Sequence, residues 1–183
     1  MSRLILIKHA MPLIDETKPP REWPISPEGR VASERLADKL AGLGVASVAA
    51  SSEPKANDTG AVIAARLGVP MLTDAGLAEH HREAAPFLPR AEFEAAIARL
   101  FLEPDQLIYG EETADQAHAR FAAALERQLA AAPPGALLVA SHGTVISLWV
   151  SRRLGIDPFP LWKALTLPSA VVVDGDGYEL IEA

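Results

Sequence analysis

Two histidines and two lysines lie at the ends of apolar runs in the chain or shortly beyond them. Lys8 and His9 end the first run, Lys55 lies shortly beyond the second, and His142 follows a later one. Lysine is rarely buried without a partner, and an anion held between the two ammonium groups would explain both positions. A lone histidine at a strand end is more often a hydrogen-bonded packing residue than a catalyst. The four residues together therefore predict a site for an anion.

The residues around His142 strengthen this prediction. Gly143 begins a helical pattern, and a helix N-terminus presents backbone N–H groups and the positive end of the helix dipole to an anion. In an α/β sheet the ligand site lies beyond the carboxyl ends of the strands, so His9 and His142 can lie together although they are distant in sequence. Ser51 ends the second run and can either touch the anion or cap the following turn.

The apolar runs that must position these residues have the length and composition of strands. Continuous apolar runs between polar turns indicate strands that are covered on both faces. The runs are Arg3 to Lys8, Val45 to Ala50, Ala136 to Ala140, Ala170 to Val173, and Tyr178 to Ile181, the last paired with its predecessor across a turn.

Helical patterns separate most of these strands. The first begins with Ser26 as N-cap and Pro27 at the first helical position. We expect its core side to hold Val31, Leu36, Leu40 and Leu43. The other helices are predicted over Ala56 to Leu67, Ala91 to Leu102 and Thr113 to Ala132, the last with Phe121, Leu125 and Leu129 facing the core. This order predicts an α/β protein, a three-layer α/β/α sandwich with a mostly parallel central sheet in a single domain, 1–183.

Composition excludes several other classes of protein. The chain has 183 residues, with 17 Lys and Arg against 24 Asp and Glu, a net charge of −7, and no cysteine. The negative charge disfavours nucleic acid as a partner, and the absence of cysteine excludes disulfide scaffolds, thiolate nucleophiles and cysteine-based metal sites. We find neither a signal peptide nor an apolar stretch of membrane-spanning length, and therefore expect a cytoplasmic protein without a membrane partner.

Six segments in order resemble the motifs of the histidine phosphatase superfamily, also called the phosphoglycerate mutase-like family. Its first signature, a strand followed by Arg-His-Gly or Arg-His-Ala, is similar to the segment from Leu4 to Ala10. The second histidine motif closely resembles the segment Leu137 to Gly143. The remaining similarities are Pro24 to Gly29, Ser51 to Gly60, Leu77 to Glu79, and Gly110 to Arg120. The resemblance covers nearly the whole chain.

This resemblance implies a phosphoglycerate mutase-like fold and metal-independent phosphoryl transfer without a cofactor. His9 would be the nucleophile, with its other ring nitrogen held by a carbonyl. Lys8, Lys55 and His142 would surround the phosphoryl oxygens, and Glu79 would protonate the leaving oxygen and then accept a proton from water. Ser51, Ala10 and Gly143 are further candidates for contact with the phosphate.

The implied reaction is hydrolysis of a phosphomonoester or phosphohistidine through a phosphohistidine intermediate. The implied partner is a small phosphorylated substrate or a phosphoprotein, and the chain would be a monomer or homodimer. We expect the backbone N–H of Ala10 to remain available to phosphate, and His80, His81 and Arg82 to be surface residues.

The chain departs from the family pattern where the motifs have arginine and this sequence has Lys8 and Lys55. The planar guanidinium of arginine can bind two phosphate oxygens at once, whereas the ammonium group of lysine is a single compact charge. Lysine at these positions therefore keeps the positive charge but loses the bidentate hydrogen bonding. The alternative is therefore a degenerate, weakly active or non-catalytic member that binds phosphorylated ligands. A metal site formed by His9, His142, His80 and Glu79 is disfavoured, because the neighbouring lysines would repel a cation and the i, i+4 histidine pair of a helical zinc motif is missing.

Overall fold

The structure is a computed structural model that describes residues 3–183, so the first two residues of the predicted domain lie outside it. The strands are β1 (Leu4–Lys8), β2 (Val45–Ala50), β3 (Met71–Thr73), β4 (Ala136–Ser141), β5 (Ser169–Asp174) and β6 (Gly177–Glu182). The α-helices are α1 (Pro27–Leu40), α2 (Pro54–Leu67), α3 (Arg90–Leu102), α4 (Ala114–Ala131), α5 (Gly143–Leu154) and α6 (Pro158–Ala164). None of the helices in the described residues combines the length and apolar character needed to cross a membrane.

The strands form one mixed sheet in the order β3-β2-β4-β1-β5-β6. The four strands β3, β2, β4 and β1 are parallel, whereas β5 pairs antiparallel with both β1 and β6. The predicted mostly parallel sheet is confirmed, and so is the hairpin at the C-terminal end. Because β1, β4 and β2 are adjacent and parallel, the polar residues that follow them come together at one edge.

Helices cover both faces of the sheet. On one face, Leu4 and Leu6 of β1 belong to a core that includes Phe121 of α4 and Val145 of α5. On the opposite face, the alternate β1 residues, Ile5 and Ile7, pack in a core with α1 and α2. A strand buried on both sides needs apolar residues at every position, which explains the unbroken run at the start of the chain. The predicted three-layer α/β/α arrangement is confirmed.

Helix α1 begins as the sequence predicts, but its buried stripe differs from the predicted one. The Ser26 side chain accepts a hydrogen bond from the N–H of Gly29 at 3.0 Å, and Pro27 occupies the first helical position. The buried stripe is formed by Gly29, Ser33, Leu36, Ala37 and Leu40. Val31 lies off this stripe and is 46% exposed, so its predicted place in the core is wrong. Leu129 of α4 is 36% exposed, so its predicted place in the core is also wrong.

Two elements are absent from the sequence prediction. Strand β3 has only three residues, and two of them are exposed, so it lacks an apolar pattern. Helix α6 has seven residues and contains two prolines, a composition that is more typical of a loop, so the sequence does not predict it. It nevertheless matters for the site, because the chain that follows it returns past the end of β1.

Candidate active site

The backbone pairing of the central strands continues beyond their ends and places the two histidines together. The N–H of His9 donates to the Ser141 carbonyl at 3.0 Å, and the N–H of Ser51 donates to the Ala140 carbonyl at 2.9 Å. The rings of His9 and His142 meet edge to face, with centroids 5.3 Å apart and an angle of 62° between their planes. The parallel sheet thus brings together residues from opposite ends of the chain.

The hydrogen bonding of His9 identifies its tautomer. Its Nδ1 lies 2.8 Å from the carbonyl oxygen of Ala10. Because a carbonyl only accepts hydrogen bonds, Nδ1 carries the proton and Nε2 carries a free electron pair. Burial lowers the pKa of His9 well below 6.5, and the neighbouring His142 and Lys55 lower it further, against the opposing effect of the Ala10 carbonyl. The ring is therefore neutral at pH 7, as a nitrogen nucleophile must be.

Ala10 contributes its carbonyl to the site and not its N–H group. The N–H of Ala10 donates to the Thr59 hydroxyl at 2.9 Å, and that hydroxyl donates to the Lys55 carbonyl at 2.7 Å. The expectation that this N–H is available to phosphate is wrong, since α2 already satisfies it. The same bond ties the segment after His9 to the helix that carries Lys55.

His142 is completely buried, and only one of its two ring nitrogens has a hydrogen-bond partner among residues 3–183. Its Nε2 lies 2.9 Å from the Ser51 hydroxyl, and that hydroxyl accepts a hydrogen bond from the Glu53 N–H at 3.2 Å. Its Nδ1 has no hydrogen-bond partner among residues 3–183. Burial lowers the pKa of His142 to about 3, with Glu79 opposing this effect, so the ring is neutral at pH 7. Ser51 therefore caps the turn and contacts the second histidine.

The ammonium group of Lys8, next to His9 in the chain, is positioned by a hydrogen bond to the backbone. Its Nζ donates to the carbonyl of Leu165 at 2.8 Å, in the chain that follows α6. Burial lowers its pKa from 10.5, although Glu79 opposes the shift. A Cβ at Gly143 would lie at ordinary van der Waals distances, 3.4 Å from Lys8 Cε and 3.5 Å from Trp162 Nε1, so the start of α5 packs close to the lysine. An ammonium has three N–H donors, which leaves donors for an oxyanion.

Lys55 is buried at the start of α2 and has two oxygen partners. Its Nζ donates to the Pro20 carbonyl at 2.7 Å and lies 3.0 Å from Oε2 of Glu53. The other oxygen of Glu53 accepts the N–H of Glu79 at 2.9 Å and lies 3.6 Å from His142 Nε2. Sequence reasoning missed Glu53 as a site residue. Its only signal is its position between Ser51 and Lys55 in a segment that follows a strand.

Glu79 occupies the N-terminus of α5, where the sequence suggests an anion. Its carboxylate accepts N–H bonds from Thr144 at 3.2 Å, from Val145 at 3.3 Å and from His80 at 2.9 Å, and lies 3.7 Å from Arg82. Burial favours the neutral carboxyl group, but Arg82 and the N–H donors outweigh it and lower the pKa from 4.5 to about 2. Glu79 is therefore ionised at pH 7 in the free site.

The segment that carries Glu79 is held by an ion pair. Arg120 pairs with the buried Glu112 at 2.8 Å. The same guanidinium donates to the carbonyls of Gly76, Ala78 and Glu79 at 2.9–3.0 Å. These bonds fix the backbone on which the Glu79 carboxylate depends.

A cavity of about 330 Å³ opens beside this cluster. Its wall includes Glu53, Lys55 and Glu79 from the cluster and adds Arg21 and Arg82. The larger apolar and aromatic residues of the wall are Pro19, Pro20, Pro86, Phe87 and Tyr109. The cavity can therefore receive the part of a substrate that extends away from the histidines.

The segment after Glu79 only partly matches its predicted exposure. His81 is exposed as expected, but His80 is 2% exposed and donates to the Glu112 carbonyl, so the expectation for His80 is wrong. Arg82 is half-buried over the Phe93 ring, 5.2 Å from its centroid. Within residues 3–183, no group of three or more His, Asp or Glu side chains is arranged to hold a metal ion.

Comparisons with known proteins agree with this architecture. Residues 4–180 match the profile of the Histidine phosphatase superfamily (branch 1). A mycobacterial glucosyl-3-phosphoglycerate phosphatase in complex with inorganic phosphate is similar in structure, with a TM-score of 0.73, 20% identity, and coverage of 100% of this chain and 96% of that chain. Bacillus stearothermophilus YhfR has a TM-score of 0.71 and 17% identity, with coverage of 100% and 96%.

An Entamoeba histolytica phosphoserine phosphatase mutant in complex with phosphoserine has a TM-score of 0.66 and 16% identity, with coverage of 98% of this chain and 95% of that chain. Such low identities show the shared fold alone. A sequence comparison with curated proteins gives no significant match. The family match extends over nearly the whole chain, and we conclude that this chain belongs to the histidine phosphatase superfamily.

Proposed function

We propose that this protein is a phosphatase that hydrolyses a phosphomonoester or phosphohistidine through a phosphohistidine intermediate on His9, without a metal. The observation that carries the proposal is the state of His9. Its Nδ1 proton is held by the Ala10 carbonyl, which leaves a neutral ring with a free Nε2 beside His142. The substrate would be a small phosphorylated molecule or a phosphoprotein, and no cofactor is required.

In the first step, Nε2 of His9 attacks phosphorus and the bond to the leaving oxygen breaks. The transition state is loose, so positioning and electrostatic stabilisation supply most of the rate enhancement. Lys8 and Lys55 would donate to the nonbridging oxygens. Nδ1 of His142, which has no partner among the described residues, would donate to a third oxygen while Nε2 accepts from Ser51.

In the second step, water attacks phosphorus and the electron pair of the N–P bond returns to Nε2 of His9. Glu79 would accept the water proton, because its carboxylate is ionised at pH 7. In the first step the same carboxyl group would protonate the leaving oxygen, as the family resemblance implies, after the bound dianionic phosphate has raised its pKa. The proposal therefore assigns Glu79 to both halves of the reaction.

The test is to trap the intermediate. The protein is mixed with phenyl phosphate labelled with ³²P, quenched in alkali, and digested to locate the label. We expect an alkali-stable, acid-labile phosphoryl group on His9, since phosphoramidates survive base and hydrolyse in acid. The His9→Ala variant should lose the label and the turnover, and His118→Ala on α4 is the matched histidine control. Turnover without label, or a label that survives acid, would contradict the mechanism.

A second candidate function is a non-catalytic module that binds phosphorylated ligands. The observation that favours it is the pairing of both ammonium groups with backbone carbonyls, and of Lys55 with Glu53 as well. Such a site can hold an anion without the bidentate grip that a phosphoryl transition state benefits from. Millimolar phosphate would then raise the melting temperature, while wild type, His9→Ala and the double variant Lys8→Arg/Lys55→Arg would show equally negligible turnover and no label.

A further inference from the structure

The cavity beside the histidines has an apolar part, which we call the apolar wall. Two segments supply it, residues 19–20 before α1 and residues 86–87 before α3, together with one tyrosine: Pro19, Pro20, Pro86, Phe87 and Tyr109. The carbonyl of Pro20 accepts a hydrogen bond from Lys55 at 2.7 Å, so this wall begins beside the lysine that the proposed function assigns to the phosphate. The leaving group of a substrate bound at His9 would therefore lie against the apolar wall.

The apolar wall is held in place by contacts within the protein. The Tyr109 hydroxyl donates to the Pro86 carbonyl at 2.8 Å. The Tyr109 ring meets the ring of Phe93 edge to face, with centroids 5.8 Å apart. Three of the five wall residues are prolines, whose φ angles are fixed. The wall is therefore largely formed before a ligand binds, so that binding requires little ordering of the protein.

Phe87 has the largest exposed surface to offer a ligand on this wall. It is 86% exposed, although it lines the cavity. A single exposed apolar side chain needs no explanation, but Phe87 belongs to a continuous set of apolar residues in a cavity next to the candidate active site. An aromatic ring placed against Phe87 and Tyr109 would remove apolar surface from water and gain the further attraction of aromatic pairs. A polyol leaving group offers neither contribution.

The charged residues of the same cavity are paired with one another. Its two arginines and its lysine each face a carboxylate that also lines the cavity: Arg21 pairs with Glu83, Lys55 with Glu53, and Arg82 with Glu79. A negatively charged leaving group would have to compete with these carboxylates for the cations, and a positively charged one would have to compete with the cations. The cavity therefore favours a leaving group without charge.

We propose that the substrate is a phosphomonoester whose leaving group carries an uncharged aromatic ring, and that Phe87 and Tyr109 contact this ring. The bonds that form and break are those of the proposed function, with the leaving alcohol protonated by Glu79. The ring belongs either to a small molecule or to a phosphotyrosine side chain, which share this chemistry. This inference rests on the proposed function and specifies its substrate class.

The experiment measures kcat/KM of the full chain at pH 7 for 2-phenylethyl phosphate, glycerol 1-phosphate and 3-phosphoglycerate. All three release an alkyl alcohol, so a preference among them does not arise from the greater reactivity of aryl esters. We expect kcat/KM for 2-phenylethyl phosphate to exceed that for glycerol 1-phosphate by about tenfold to a hundredfold, and 3-phosphoglycerate to be the slowest. The higher kcat/KM between 1-naphthyl phosphate and a phosphotyrosine peptide then distinguishes the two sources of the ring.

The Phe87→Ala variant provides the selective readout. Because Phe87 is exposed, the substitution should leave the fold intact. We expect kcat/KM to fall about fivefold to tenfold for 2-phenylethyl phosphate and less than about twofold for glycerol 1-phosphate, with recovery in Phe87→Tyr, which keeps the ring. The matched control is Leu102→Ala, which removes an exposed apolar side chain of α3 that does not line the cavity.

Three results would overturn the inference. They are equal kcat/KM for 2-phenylethyl phosphate and glycerol 1-phosphate, faster turnover of 3-phosphoglycerate than of either, and an unchanged preference in Phe87→Ala. In each case a labelled His9 would leave the proposed function intact. Absence of turnover and label with every substrate would overturn both the inference and the proposed function.

Discussion

Lys8 and Lys55 show how the site can hold positive charge without the arginines of the family pattern. Each ammonium group is positioned by a backbone carbonyl, of Leu165 and Pro20 respectively. A lysine positioned in this way acts as a fixed point charge, and its remaining N–H groups can contact phosphoryl oxygens. The carboxylate of Glu53 offsets part of that charge, because it lies 3.0 Å from Lys55.

We predict that Glu53→Gln strengthens inhibition by orthovanadate. Removing a carboxylate from beside a bound oxyanion removes a repulsion of about 1–2 kcal/mol at the effective dielectric of a partly buried site, or about tenfold in Ki. Steady-state inhibition of wild type and variant measures the change. The control is Glu92→Gln, an exposed position on α3. Unchanged or weaker inhibition in Glu53→Gln would show that this carboxylate does not oppose the anion.

At the scale of elements, the apolar runs predicted the strands. The predicted parallel strands in turn indicated that His9 and His142 lie close together. The reason is physical, since parallel strands buried on both faces leave a distinct sequence pattern and their carboxyl ends share one edge. Glu53, His80 and Arg82 were missed or assigned to the surface because their positions depend on loops. Loop contacts such as that between Arg82 and Phe93 join distant segments and leave no local periodicity in the sequence.

The start of α1 closely approaches the segment after His9 at Gly29. A Cβ at this position would lie 2.5 Å from the Met11 carbonyl oxygen and 3.3 Å from Ala10 Cβ. We predict that Gly29→Ala destabilises the fold by about 1–3 kcal/mol through overpacking. It should also lower kcat, because the displaced Ala10 carbonyl holds the His9 ring. Urea unfolding and steady-state kinetics measure the two effects.

The matched control for this prediction is Gly42→Ala. A Cβ at Gly42 has no atom within 4 Å, so the substitution should change the free energy of unfolding by no more than about 0.5 kcal/mol. If Gly29→Ala behaved like this control, the close packing between α1 and the loop after His9 would not matter for the site.

For the whole molecule, burial of the neutral side chains of His9 and His142 beyond the strand ends makes the free energy of unfolding depend on pH. The pKa of His142 falls from 6.5 to about 3 on folding, and that of His9 also falls well below 6.5. Between these values the unfolded chain binds more protons than the folded one. Stability is therefore fully present above pH 6.5 and is lost as the pH falls toward 3.

We predict that the free energy of unfolding decreases below pH 6.5, with each of the two histidines contributing a slope of up to about 1.4 kcal/mol per pH unit. Urea unfolding at several pH values measures this slope. The His142→Gln variant should lose the contribution of one proton. An unchanged slope in His142→Gln would mean that this ring is not buried in its neutral form.

The most direct test of the central claim is a crystal structure of the protein with orthovanadate. We predict vanadium bonded to Nε2 of His9, oxygens within hydrogen-bond distance of Lys8, Lys55 and His142, and the Nδ1 bond to the Ala10 carbonyl retained. Vanadate found elsewhere, or bound without contact to Nε2 under conditions in which it inhibits the protein, would contradict the account.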